Sequence, residues 1–172
     1  MGLSRVIYSK IMIQSYRFAI AQMDPTVGDY SQNTVKIINW IREAAARKAD
    51  LIVFPEGALC GYPVWDLANK KQFVGEGLKQ LRRVVTATRG KDLAVVLGFI
   101  DQGTGSPAAS RASSYNALAW IENGKVRKVY HKQLLPTYDV FLEEIFFQAG
   151  REDASTVLWK DRKVGLTICE DI

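Results

Sequence analysis

The chain is 172 residues long, 48% hydrophobic and 24% charged, a balance that excludes a disordered or collagen-like polymer and suits one domain or one large piece of a bigger one. Its 23 Lys and Arg outnumber 18 Asp and Glu, giving a net charge of +5. The positive side chains are scattered, with only Lys70-Lys71 and Arg82-Arg83 adjoining on helix-like stretches, so they read as solvated faces and not as a nucleic-acid surface. The longest apolar runs, Leu51 to Pro55 and Leu93 to Leu97, are far too short to span a bilayer.

Residues 1–16 carry Arg5 and Lys10 without an acid and lack the pattern of a secretory leader, so they read as an N-terminal extension before a domain over 17–172. A reducing, cytoplasmic setting is expected, in which Cys60 and Cys169 build no disulfide framework. Arg17 to Gln22 is a short strand ending at Asp24-Pro25. From Ser31 to Lys48 the apolar positions Thr34, Ile37, Ile38, Ile41, Ala44 and Ala45 recur at steps of three and four, which predicts a helix capped from Asp29, Ser31 or Asn33. Leu51 to Phe54 reads as a strand buried on both faces and stopped by Pro55, which places Glu56 at a strand end.

GALCGYPVW is a loop, followed by a second helix in which Val74, Leu78, Leu81 and Val85 share a face and which ends near Gly90. Leu93 to Ile100 is another doubly buried strand, and Gly103 to Ser113 a flexible connection. Ser114 to Ile121 and Lys125 to His131 form a hairpin through Asn123-Gly124. Lys132 to Gly150 is irregular and aromatic. Thr156 to Trp159 and Lys163 to Ile168 form a last hairpin turned at Asp161-Arg162. The order predicts a layered α/β fold in which two helices cover one sheet face, leaving the other to further sequence or another chain.

Cys169 falls where an apolar strand turns into Glu170-Asp171, a position that exposes a side chain and frees backbone amides as oxyanion donors. The two acids after it should raise the thiol pKa, so a reactive Cys169 needs a cation or a positioned base. Glu56 is a base by position, and Lys132, just past the strand ending at His131, is a cation. Extended geometry through Lys132 puts it on the face of Tyr130, with His131 on the other. Gly103-Thr104-Gly105 does not stand between a strand and a helix as a phosphate loop would. With one histidine and two distant cysteines, no metal site is predicted.

LIVFPEGALCGYP, YHKQLLPTYDVF and GLTICEDI, in this order, resemble three signatures of the nitrilase (carbon-nitrogen hydrolase) superfamily. QMDPTVGDYSQN, Gly61-Tyr62-Pro63 with Asp66-Leu67, Leu135-Pro136-Thr137-Tyr138 and Ile168-Cys169-Glu170-Asp171 are similar more narrowly to the glutaminase domains of glutamine-dependent NAD synthetases. The resemblance implies a four-layer αββα sandwich, cut off after the nucleophile. It implies a triad of Glu56, Lys132 and Cys169 that hydrolyses glutamine through a thioester, with the Glu170 N–H as a further oxyanion donor. Tyr62 and Tyr138 would line the glutamine pocket, Glu170 would sit beside them, and Glu143 would be a second acid, with Glu144 its adjacent alternative.

Ammonia would pass to a synthetase domain or chain that makes NAD from deamido-NAD, and ATP and Mg are expected only there. No cofactor is expected in this chain, and the uncovered sheet face implies a homo-oligomer. Two departures stand out. Val64-Trp65 replaces a Pro-Glu pair before Asp66, and Leu142-Glu143-Glu144-Ile145-Phe146-Phe147 replaces an Asp-Glu followed by a basic and aromatic pair. A free-standing aliphatic amidase or carbamoylase, and a truncated, non-catalytic fragment that acts only in association, are the alternatives.

Overall fold

Short runs of β-branched and other apolar residues, separated by amphipathic helices, place a parallel sheet early in the chain, and later strands, the last two joined by an Asn-Gly turn, extend it antiparallel. The structure, a computed structural model, describes residues 15–103, 114–151 and 155–172. Residues 1–14 of the expected extension and 104–113 of the expected connection, including Thr104 and Gly105, lie outside the described residues.

Strands β1 (Phe18–Ile20), β2 (Leu51–Val53), β3 (Ala94–Gln102), β4 (Ser114–Glu122) and β5 (Lys125–His131) form one sheet in that order. The first three are parallel and the last three antiparallel. Helices α1 (Tyr30–Ala46) and α2 (Lys71–Ala87) cover one face. Their buried stripes, Ile37, Ile41 and Ala44 with Val74, Leu81 and Val84, meet Ile52, Val95, Leu97 and Phe99. Each such aliphatic side chain contributes about 1.5–3 kcal/mol of burial. Asp29 caps α1 by accepting from the Gln32 N–H, while Asn33 does a different job, bonding Thr26 and Leu59 to tie two loops together. A 3-10 helix over Trp65–Asn69 leads into α2, and a short α3 (Glu143–Phe146) interrupts the stretch expected to be irregular.

The expectation of a bare second face is corrected. The hairpin of β6 (Thr156–Trp159) and β7 (Arg162–Gly165) lies over it, with Val157, Trp159, Leu166 and Ile168 packed on Leu51, Ala94, Leu118, Trp120 and Tyr130. Trp120 and Trp159 meet edge to face at 5.9 Å, a contact of about 0.5–1.5 kcal/mol beyond area burial. The cover is partial, because Phe18 and Ile20 stay more than half exposed. The hairpin turns one residue earlier than expected, at Lys160-Asp161, both in the left-handed region, and β7 stops at Gly165.

The end of β2 fixes the site. After Phe54, whose N–H bonds the Val96 carbonyl, Pro55-Glu56-Gly57 crosses over β3 at Gly98. A Cβ on Gly98 would lie 2.5 Å from both the Gly57 N and the Pro55 O, so only glycine lets the Glu56 loop approach this closely.

Candidate active site

Three chain segments converge beyond the carboxyl ends of the parallel strands, where open α/β sheets bind ligands. Glu56 follows β2, Lys132 follows β5, and Cys169 opens a 3-10 turn (Cys169–Asp171) after the last hairpin. Lys132 is 1% exposed. Its Nζ donates to Glu56 Oε1 at 2.8 Å and makes an ion pair with Glu143 Oε2 at 2.9 Å. Burial pulls the lysine pKa down, but the bonds to Glu56 and Glu143 more than offset this and hold it above its ordinary value. The ammonium therefore stays charged inside the fold.

Glu56 and Cys169 line one pocket of about 130 Å³ with Pro55, Gly98, Ala117 and Thr167 among its walls. Cys169 is exposed and adopts φ +49°, a left-handed conformation that costs a non-glycine residue on the order of 1–3 kcal/mol and recurs where a side chain is held for chemistry. Desolvation, and after it the Glu56 charge, push the thiol up; Lys132 and a hydrogen bond from the Glu170 N–H pull it down, and the net is upward. The expected effect of the following acids is thus corrected in part. Charge repulsion comes from Glu56 and Glu143, whereas Glu170 supplies a backbone donor that favours the thiolate.

The expected substrate residues fall at different depths. Glu143 is buried and Glu144 exposed, so Glu143 is the acid that reaches Lys132. The Tyr62 hydroxyl donates to Glu143 Oε1 at 2.6 Å, and burial followed by this bond pushes the phenol up. Tyr62 therefore reaches Lys132 through Glu143 and lines a small recess with Pro63, Val64 and Phe146. Tyr138 lies at the rim, 56% exposed, its hydroxyl donating to Glu170 Oε2 at 2.8 Å, a bond that raises its pKa. His131 points to the helix-covered face as the alternation requires. It stacks on Tyr115 at 4.1 Å and contacts Asp101 Oδ2 through Nε2 at 2.9 Å.

Cys60 is 1% exposed, its Sγ set against the carbonyls of Gly57 and Gly61, and burial pushes its thiol up to about 12. Both thiols are raised, but Cys60 is buried in the core and Cys169 is exposed at the pocket. Among the described residues, no cluster of three or more His, Cys, Asp or Glu could hold a metal, and no helix is long and apolar enough to cross a membrane.

Residues 17–172 match the carbon-nitrogen hydrolase family. The chain belongs to that family. Its curated relatives include the glutamine-dependent NAD(+) synthetase of Thermotoga maritima, 41% identical over 156 residues that make up 91% of this chain and 26% of the relative. The corresponding protein of Synechocystis sp. is 36% identical over 157 residues, covering 91% and 28%. The chain spans about a quarter of the length of these relatives. Among solved structures, the ADP complex of the Acinetobacter baumannii glutamine-dependent NAD+ synthetase superposes with a TM-score of 0.80 at 31% identity, over 92% of this chain and 28% of that one. An amidase from Nesterenkonia sp. shares the fold, with a TM-score of 0.70 at 22% identity over 95% and 59%.

Two residues of this carbon-nitrogen hydrolase site escape sequence reasoning. Asn116, 3% exposed on β4, donates to Glu56 Oε1 at 2.6 Å and reaches Glu143 Oε1 at 3.4 Å. Asp171 gathers the backbone around Lys132 and Cys169. Asn116 faces partners 60 and 27 positions away. The one local signal was a polar side chain inside an otherwise apolar strand, which should be satisfied by something specific.

Proposed function

We propose that this chain is the glutamine-hydrolysing part, over 17–172, of a glutamine-dependent NAD synthetase. The observation that carries this reading is the meeting of a buried Lys132 with Glu56 and Glu143, in a pocket shared by Glu56 and an exposed, left-handed Cys169. The 41% identity to a synthetase supports the choice of glutamine over other amides.

In this reading the Cys169 Sγ attacks the carboxamide carbon while Glu56 takes the thiol proton. Asn116 and Lys132 both bond Glu56 Oε1, which leaves Oε2 for proton transfer. The carbonyl oxygen becomes an oxyanion held by the Lys132 ammonium and the Glu170 N–H. Collapse breaks the C–N bond as Glu56 returns the proton to the departing nitrogen, giving ammonia and a thioester on Cys169. Water, deprotonated by Glu56, then attacks the thioester. Glutamate leaves and the thiol is restored.

Tyr62, Tyr138, Glu143 and Glu170 shape the substrate side of the pocket. Ammonia passes to a synthetase domain or chain, which holds the ATP and Mg; this chain needs no cofactor of its own. The sandwich would be completed to αββα beyond the strands described, in a homo-oligomer located in the cytoplasm. The test is turnover by the complete gene product of glutamine against simple aliphatic amides, with Cys169→Ala as the control. Glutamate release that is selective for glutamine and lost in Cys169→Ala supports the reading. Equal or faster turnover of aliphatic amides would replace it with a free-standing amidase.

A further inference from the structure

Asp171 lies two residues beyond the nucleophile, and its carboxylate joins two segments of the chain. Oδ1 accepts the backbone N–H groups of Gln133 at 3.1 Å and Leu134 at 2.8 Å, the two residues after Lys132. Oδ2 accepts the Tyr130 hydroxyl at 2.8 Å, from two residues before Lys132, and the N–H of Ile168 at 3.2 Å, just before Cys169. Backbone bonds from Asp171 N to Ile168 O and from Ile172 N to Cys169 O close the same turn. Cys169 sits inside it at φ +49°, a conformation that persists only where its surroundings hold it.

We propose that Asp171 is a positioning residue: its carboxylate clamps the turn carrying Cys169 to the segment carrying Lys132, and so sets the thiol against the ammonium. The assignment rests on the amide-hydrolysis reading for the reaction it serves, but the placement itself is measurable without glutamine. The four groups it receives all donate, and only a carboxylate accepts on both oxygens. An asparagine of nearly the same shape would have to turn its NH2 either toward two backbone N–H groups or toward Ile168 N–H and the tyrosine. Asp171→Asn therefore breaks at least one arm of the clamp with little change in volume.

The test uses the complete gene product and follows alkylation of Cys169 by iodoacetamide across pH, beside kcat and KM for glutamine. Wild type, Asp171→Asn, Lys132→Gln and the double variant are compared. The groups that face the thiol, namely Glu56, Lys132, Glu143, Tyr62, Tyr138 and Glu170, all remain in Asp171→Asn. A displacement of about 1 Å costs on the order of a hundredfold, so kcat should fall about 10- to 100-fold with KM nearly unchanged. Loss of the Asp171 charge alone would lower the alkylation midpoint, whereas withdrawal of Lys132, a group that lowers it, raises it, so a rise marks the clamp and a fall overturns it. That shift should largely vanish when Lys132→Gln is already present, since the two residues act as one unit.

An unchanged midpoint and kcat in folded Asp171→Asn, or full additivity with Lys132→Gln, would overturn the proposal. If Asp171→Asn does not fold, Tyr130→Phe removes one donor alone. It should slow both alkylation and turnover several-fold, and no change in either overturns the clamp. A midpoint shift in a protein that does not hydrolyse glutamine would leave the clamp standing and remove the glutaminase reading instead.

Discussion

The two ends of the sheet hold the same kinds of side chain to different effect. At the amino ends of β2 and β3, a recess of about 450 Å³ is lined by Asp50, Lys91, Asp92, Glu122 and Lys160. Its Lys160 pairs with Asp50, and both side chains remain about a quarter exposed, at 28% and 25%. At the carboxyl ends, a pocket less than a third as large is lined by Cys169 and by Glu56, which with Glu143 holds a lysine of 1% exposure. Volume therefore does not mark the chemistry. A charge withdrawn from water costs several kcal/mol unless it is paired and hydrogen-bonded, so a lysine buried with Glu56 and Glu143 is an expensive way to build a core. An open pair such as Lys160 and Asp50 contributes at most about 1 kcal/mol.

The sharpest break of this contrast is at Cys169, the nucleophile of the proposed glutaminase reaction. Cys169→Ala should lower glutamine hydrolysis by at least about 10⁴-fold, as loss of an attacking group does, while Cys60→Ala keeps activity and loses about 1 kcal/mol of stability. Mass spectrometry after treatment with a glutamine-like electrophile should find the label on Cys169. Label on Cys60 alone would reverse the assignment. Next comes Lys132→Ala, expected to cost about 10²–10³-fold in kcat as an oxyanion stabiliser. His131→Ala should be mild, because that ring faces Asp101 and Tyr115 across the sheet. The opposite ranking in steady-state assays would point to a Cys/His pair.

Gly98→Ala probes how the scaffold delivers Glu56. Its new Cβ would meet the backbone of Gly57 and Pro55 at 2.5 Å, and backbone yields less easily than a flexible side-chain tip. Overpacking of this kind costs about 1–3 kcal/mol, and the shift it forces on Glu56 should lower kcat by up to about a hundredfold. Thermal melting and kinetics on the same sample separate the two effects. Full activity with wild-type melting would mean that the Glu56 loop does not need its close approach to β3.

How much of this was legible depends on the range of the interaction. Leu51 to Phe54, an apolar run stopped by Pro55, placed Glu56 correctly because burial and proline act locally. The alternation of Tyr130, His131 and Lys132 gave each side chain its face for the same reason. Asn123-Gly124 named its own turn, with both residues at positive φ. Lys160-Asp161 adopts a similar left-handed pair without the residue types that advertise it, so the expected turn slipped by one position. Thr156 to Trp159 and Lys163 to Ile168 read as a hairpin, but nothing local told that Val157 and Trp159 dock on Trp120 and Leu118. The roles of Asn116 and Asp171 come from partners at least 27 positions away for one and up to 41 for the other, and no periodic pattern encodes such contacts.

The smallest expected effect lies at the opposite recess, where Lys160→Ala should leave glutamine turnover unchanged. Asp50 is held below its ordinary carboxylate value first by the Arg17 N–H and then by Lys160. A carboxylate whose folded pKa is depressed adds stability above its unfolded value and loses it as pH falls through the folded one. The ion-pair part of the difference between wild type and Lys160→Ala, at most about 1 kcal/mol, should therefore be full near neutrality and fade below about pH 4. A further part of the total difference should survive in acid, because the ammonium also lies 5.4 Å from the Trp159 ring and 5.9 Å from the Tyr16 ring, contacts that no proton removes. Urea denaturation of both proteins at neutral and acid pH reads the two parts separately. A difference that stays constant from neutrality into acid would mean that the rings, and not Asp50, hold Lys160 in place.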